Sequence, residues 1–311
     1  MTADTEGAGV MIAGSRSASR SRRKNSEMAA ALAFLALPLA FYGFAVVYPA
    51  VATFRLSFLQ WDGLGDSKWV GLQNYFFLFT QDKNFLRAFA NTAIWTALFV
   101  PCSTALGMVI ATLLNSDIPA RTFFRVLFYL PFVLSNVAVG LIWKWMYYPD
   151  IGVLDILTQA IGLPQVGWLS DPAVAIYAIV VAAIWQAAGG AMVIFLAGLQ
   201  TIPAELYEAG RLDGATSLQL FWHITVPGLR ESIIVASSLA TLGSLNVFDL
   251  VYATTQGGPA NTTQVLGTWM YFQTFQFGKF GVGAAIACIL MVLVAIIATP
   301  FISRAARGQN G

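Results

Sequence analysis

Within Ile202–Pro227, Glu205, Glu208, Arg211 and Asp213 fall inside nine positions, whereas the 33 residues before Glu205 carry no charge. A charged island between two long apolar runs does not belong in hydrocarbon; it has to meet water or another macromolecule. Pro203 suits a first helical turn, and Glu205 and Glu208 suit the positive N-terminal end of a helix. Leu206, Ala209, Gly210 and Asp213 recur at three- and four-residue spacing, which predicts a short helix with a strip of small residues. Gly214 then supplies a tight turn, and Leu218–Ile224 can form a second amphipathic helix before Pro227. Such a helix can seat in a groove on a soluble partner, or it can be a solvated connection between two spans. Spacing leaves both open.

Catalysis finds little to work with. His223 is the only histidine, so neither a His-His metal site nor a Ser–His dyad elsewhere in the chain can be assembled. No Gly-x-x-x-x-Gly-Lys-Ser/Thr loop is present to cradle a nucleotide phosphate. Cys102 and Cys288 both lie in apolar runs and read as core residues rather than a disulfide or metal pair. We therefore expect no catalytic residue and no metal, and a net charge of only +2 gives no case for nucleic acid. A different chemistry is offered by uncharged polar side chains within apolar runs. These are Ser135 and Asn136, Trp185 with Gln186, and Thr241, Ser244 and Asn246. Hydroxyls and amides beside an aromatic face suit the path of an uncharged sugar; equally, they can bond backbone carbonyls or bridge helices. Asp249 falls near the outer end of its run, as a gate or loop contact. No buried basic pair is present to receive a strongly anionic solute.

The elements that must position these groups are membrane helices. The chain is 58% hydrophobic and 10% charged, against about 25% charged for a soluble domain. Uncharged runs long enough to cross roughly 30 Å of hydrocarbon recur along it. The expectation is an all-α, polytopic membrane protein with six transmembrane helices at about 29–52, 88–114, 123–147, 173–199, 231–250 and 280–302. Trp143, Trp145, Tyr147 and Tyr148 read as an interfacial aromatic belt. Leu154–Ile161 and Tyr271–Phe277 read as short surface pieces. Residues 1–27 are polar and basic, a disordered tail. Ser21-Arg22-Arg23 does not make a twin-arginine signal, since Asn25 replaces a large apolar residue and Met28–Phe54 is too long for a signal core. Six helices put both termini on one side. That side carries eleven Lys and Arg, including Arg121, Arg125, Arg211 and Arg230, and the other six. The bias makes both termini and Ile202–Pro227 cytoplasmic.

The charged segment also resembles a known device. Glu208-Ala209-Gly210, Asp213-Gly214-Ala215, Phe221, Ile224 and Pro227 fall in the register of the cytoplasmic "EAA" loop of permease subunits in ATP-binding-cassette (ABC) importers. Two departures are Gly210, where alanine is usual, and Glu231-Ser232, near where a further proline is common. Tyr48-Pro49, Ser57-Phe58, Val70–Tyr75, Asn91-Thr92, Phe124-Arg125 with Leu130-Pro131, and Thr255–Pro259 resemble the carbohydrate branch, specifically its maltose-type first permease subunit. The resemblance covers residues 40–300. It implies a type I (MetI-like) permease core over 88–303, with a coupling loop at 201–228, a first helix and external loop at 28–87, and a cytoplasmic tail at 304–311. Glu205, Glu208, Ala209, Gly210, Asp213, Gly214 and Ala215 would couple to a dimeric cytoplasmic ATPase. No cofactor is then expected in this chain, ATP and magnesium lying on that partner. A homologous second permease, an extracytoplasmic solute-binding protein, a carbohydrate substrate and membrane lipid complete the implied partners, in the bacterial inner membrane. An ion-coupled secondary transporter is the alternative; it calls for ionisable groups at depth and broken helices in inverted repeats.

Overall fold

The computed structural model describes residue 28 and residues 34–116, 119–162 and 164–308. The basic tail expected at 1–27 and the last three residues lie outside them. Contacts divide the chain into two units, residues 1–55 and 56–311. The described part of the first unit is most of helix α1, Phe34–Leu56, long and apolar enough to cross a bilayer. It includes a π-helical turn at Gly43–Val47.

The second unit opens with a two-stranded antiparallel hairpin, β1 (Leu59–Gln60) and β2 (Lys68–Trp69), with Leu59 opposite Trp69. Helix α2 (Gln73–Thr80) leads into α3 (Lys83–Asn115). At 33 residues, α3 is about 50 Å long and acts as the mast of the fold. It begins five residues before the position expected from hydropathy because Asp82 caps it, accepting from the Asn84 and Phe85 N–H groups at 3.0 Å each.

Three core clusters follow one another along this mast. Near its start, Phe85 and Ala88 pack with Leu78, Leu266, Trp269 and Ile286. Further along, Trp95 packs with Val139, Trp143, Tyr147, Ile179 and Val251. Near its end, Ile110 and Leu114 pack with Met192, Phe195, Leu199 and Leu229. Helix α7 (Ala175–Leu199) runs along α3 through the second and third of these. Large apolar side chains such as Phe123, Leu130 and Val181 are exposed on the outside, as lipid contact requires. Cys288 is buried, but Cys102 faces outward, so only one of the two cysteines is a core residue.

The largest departure from expectation is in the third span. Instead of one helix at 123–147 there are two, α4 (Arg121–Val133) and α5 (Asn136–Met146), bent by 101°. Pro131 withholds an N–H from the last turn of α4, Leu134 and Ser135 are extended, and Ser135 then caps α5 by accepting from Ala138 N at 3.2 Å. The fifth span is also interrupted. Helix α10 (Arg230–Leu245) stops after 16 residues, about 24 Å, short of a bilayer's hydrocarbon core. After Asn246–Phe248 a short α11 (Asp249–Thr254) continues. Among the described residues, four helices are long and apolar enough to span alone, and five if the bent pair counts as one.

Remaining pieces are short. Helix α6 (Val153–Ala160) realises the expected surface segment, α8 (Ala204–Leu212) and α9 (Ser217–Leu220) form the charged loop, and α12 (Leu266–Tyr271) runs on into a π-helical turn at Phe272–Gln276. The last helix, α13 (Phe280–Gly308), continues past 302 through Arg304 and Arg307. The expected aromatic belt divides: Trp143 and Tyr147 are core residues, and only Trp145 and Tyr148, stacked at 5.9 Å, are exposed.

Candidate functional site

Two regions carry the chemistry. The first is a cavity of about 850 Å³ inside the bundle. Both helix interruptions open onto it: Leu134, Ser135 and Asn136 from one, Asn246, Val247 and Asp249 from the other. Non-helical backbone is tolerated at membrane depth where it lines such a cavity. The two broken segments pack on each other, since a Cβ on Gly140 of α5 would stand 2.8 Å from the Ala253 Cβ of α11. Rings of Trp95, Phe99, Tyr129 and Phe132 and small residues such as Ala187 and Gly190 complete the wall.

Of the polar residues singled out from sequence, Ser135, Asn136, Gln186 and Asn246 line the cavity. Gln186 is also a strut: its Nε2 donates to the carbonyl of Leu134 at 2.9 Å, occupying an acceptor freed by the break. Asn246 donates back to Leu242 at 3.0 Å. Thr241, Ser244 and Trp185 lie outside the lining. The Thr241 hydroxyl donates to Ser237 O at 2.7 Å, and Ser244 sits against Thr241 O at 2.7 Å and Thr96 Oγ1 at 3.0 Å. These two are satisfied within the helix packing. Trp185 meets Trp143 edge to face at 5.7 Å. Asp249, read from sequence as lying near the outer end of its run, lines the cavity at the head of α11. Its position depends on the second break, which hydropathy does not register.

The second region is the charged loop. Helix α8 ends in a paired-bond turn: Ala215 N donates to Gly210 O at 2.9 Å and Gly214 N to Arg211 O at 3.1 Å. Gly214 takes φ +80°, the left-handed conformation this turn demands. Thr216 and Gln219 then form a reciprocal cap on α9. Tyr207 of α8 and Thr225, at the end of the π-helical turn Phe221–Thr225 that continues α9, meet through their hydroxyls at 3.0 Å. Glu205, Glu208, Ala209 and Asp213 are exposed. Gly210 is not part of that outer face, because a Cβ there would lie 2.6 Å from Leu220 Cδ2; the small-residue strip is divided between the outside and the hairpin's own interior. Ala215 is half-buried beside it.

The loop's two ends are clamped together. Leu199 closes α7, Leu229 precedes α10, and both belong to one buried cluster. Both helices contribute walls to the cavity.

The family model of the binding-protein-dependent transport system inner membrane component matches residues 103–306, spanning both breaks and the loop. The chain belongs to that family. A probable ABC transporter permease protein of Pyrococcus horikoshii is 36% identical over 291 residues, 93% of this chain and 99% of that protein. The multiple sugar-binding transport system permease protein of Streptococcus mutans is 35% identical, over 85% and 91% of the two chains. The trehalose/maltose transport system permease protein of Thermococcus litoralis is 32% identical, over 80% and 84%. A chain in the crystal structure of a bacterial ABC transporter involved in the import of the acidic polysaccharide alginate superposes with a TM-score of 0.79, covering 93% of this chain and 99% of that one. At 23% identity it establishes the shared fold. The broken helices that would suit an ion-coupled carrier therefore belong here to an ABC permease of the multi-pass membrane type, a family whose members are not enzymes.

Proposed function

We propose that the chain is a transmembrane permease subunit of an ATP-driven, binding-protein-dependent importer of sugars or sugar-like solutes, with oligosaccharides or disaccharides favoured. The observation that carries this reading is the 850 Å³ cavity built at two helix breaks and walled by amides, hydroxyls, aromatic rings and one carboxylate, Asp249, in a chain of this permease family. Amides and hydroxyls beside ring faces match a neutral polyhydroxylated solute, whose hydroxyls can also donate to the Asp249 carboxylate. Relatives named for multiple sugars, trehalose or maltose, and xylose or arabinose support the substrate class.

In this reading the chain forms half of the pathway, and a homologous second permease forms the rest. The exposed face of α8, with Glu205, Glu208 and Asp213, docks on a dimeric cytoplasmic ATPase that holds ATP and magnesium. Closure of that dimer moves α8 as a rigid body. The clamp at Leu199 and Leu229 passes the movement to α7 and α10, and the cavity changes the side to which it opens. A solute-binding protein delivers the sugar at the opposite face, outside the inner membrane. Ser135, Asn136, Gln186 and Asn246 line the route, while Trp185, Thr241 and Ser244 hold its walls.

In cells, uptake should collapse on ATP depletion with ion gradients intact; uptake that survives would return the ion-coupled carrier to favour. Filling the cavity tests the route itself. Ala187→Trp should reduce uptake at least about tenfold, the effect of 1.4 kcal/mol on a barrier, with membrane insertion unchanged. Uptake at the wild-type rate would place the route elsewhere.

A further inference from the structure

A second hollow, about 530 Å³, lies at the end of α3 away from the charged loop and shares no lining residue with the central cavity. It sits between the hairpin, α2 and the start of α13, where Phe280 N donates to Trp61 O at 3.1 Å. Asp62 and Lys279 are its two charged lining residues, and no ion pair joins them among the described residues. Lys279 Nζ stands 5.2 Å from the centre of the Phe77 ring, and one Asp62 oxygen accepts from Leu64 N. The amides of Gln60, Gln73 and Gln81 add hydrogen-bonding groups with no side-chain partner among the described residues. Phe76, in the lining, is 68% exposed, and Phe275 and Phe277, in the segment leading to Gly278 and Lys279 of the lining, are 67% and 52% exposed. Phe76 lies on α2, and Phe275 and Phe277 shortly before α13, so that exposed rings flank the N-terminal ends of two apolar helices.

We infer that this hollow binds the headgroup of a zwitterionic phospholipid of the ethanolamine type. Lys279 matches the phosphate, Asp62 the ammonium, and the exposed phenylalanines the upper acyl chains. Both charges are needed by such a headgroup, whereas a purely anionic lipid would meet Asp62 as a repulsive neighbour. A primary ammonium brings three N–H donors for the carboxylate and the amides; a choline headgroup brings none. The inference needs only a membrane protein, so it can hold if the importer reading fails.

The test is native mass spectrometry of the full chain, purified with its co-purifying subunits, delipidated, and titrated with dioleoyl phosphatidylethanolamine, phosphatidylcholine or phosphatidylglycerol. One phosphatidylethanolamine should be retained about tenfold more tightly than either competitor, the scale of one charge-assisted hydrogen bond. Lys279→Ala should weaken all three, while Asp62→Asn should abolish the preference and raise phosphatidylglycerol binding. Thermal unfolding should shift upward with phosphatidylethanolamine in the wild type and not in Lys279→Ala. Equal retention of the three lipids, retention indifferent to both substitutions, or displacement of the lipid by maltotriose would each overturn the assignment.

Discussion

Replacing Gly214 by valine is expected to uncouple transport while leaving the chain inserted and its thermal unfolding nearly unchanged. Gly214 holds φ +80°, and no atom lies within 4 Å of where a Cβ would stand. Crowding is therefore not the cause; the conformation is. A side chain in the left-handed region costs about 1–2 kcal/mol, and a β-branched one sits there worst. The local remedy is to abandon the turn, which breaks the Ala215–Gly210 and Gly214–Arg211 bonds and re-aims α8. A shift of that size changes the ratio of native to re-aimed loop roughly 5–30-fold, and uptake should fall by up to that factor. Gly214→Asn is the control, since asparagine tolerates this conformation and should transport near the wild-type rate. Glu208→Lys, which reverses charge on the exposed face without touching the turn, should also uncouple. Wild-type uptake in both Gly214→Val and Glu208→Lys would remove the loop from the mechanism.

The loop was legible because its signals are local. Pro203 and Gly214 declare a start and a stop from type and spacing, and the first helix begins and ends there; the second, expected at Leu218–Ile224, begins at Ser217 behind a Thr216–Gln219 cap and passes at Phe221 into a π-helical turn. The membrane class was legible for the same reason, since hydrocarbon imposes a long uncharged run. The breaks in the third and fifth spans were not, although Pro131 followed by Ser135-Asn136 is a helix stop and start once looked for. A hydropathy count passes over it because Leu134, Val137 and Leu141 keep the window apolar. Which face a polar residue presents was legible least. Trp185 and Gln186 are adjacent, yet only Gln186 reaches the cavity, because successive side chains on a helix stand about 100° apart. Thr241 and Ser244 share a face and turn it toward helix packing, while Asn246 beyond the helix end lines the cavity. Only the positions of neighbouring helices decide this, and those depend on contacts distant in sequence, such as Asn91 Nδ2 donating to Thr262 O at 2.7 Å and Gln264 O at 2.8 Å.

Asp82→Ala should cost the largest share of stability of any single truncation outside the apolar core, about 3–5 kcal/mol. The side chain is 7% exposed and accepts four hydrogen bonds. One oxygen takes Asn84 N and Phe85 N, capping the mast helix α3. The other takes Trp269 Nε1 and Gln273 Nε2, both at 2.9 Å, from α12 and the π-helical turn after it. Truncation removes a helix cap, worth about 0.5–2 kcal/mol, and leaves two buried donors without acceptors, at about 1–3 kcal/mol each. No cation pairs with this carboxylate among the described residues, so its environment is set by N–H donors and the positive end of α3. Asp82→Asn should recover only part of the loss, because an amide keeps one acceptor oxygen and turns an NH₂ toward N–H groups. Trp269→Phe should cost less alone, and Asp82→Ala combined with it should cost less than the sum, since both remove the same bond. Reversible unfolding in detergent would measure all four variants. A loss below about 1 kcal/mol for Asp82→Ala, or strict additivity in the double variant, would show that α3 and α12 are held together by packing of Phe85, Leu266 and Trp269 rather than by this carboxylate.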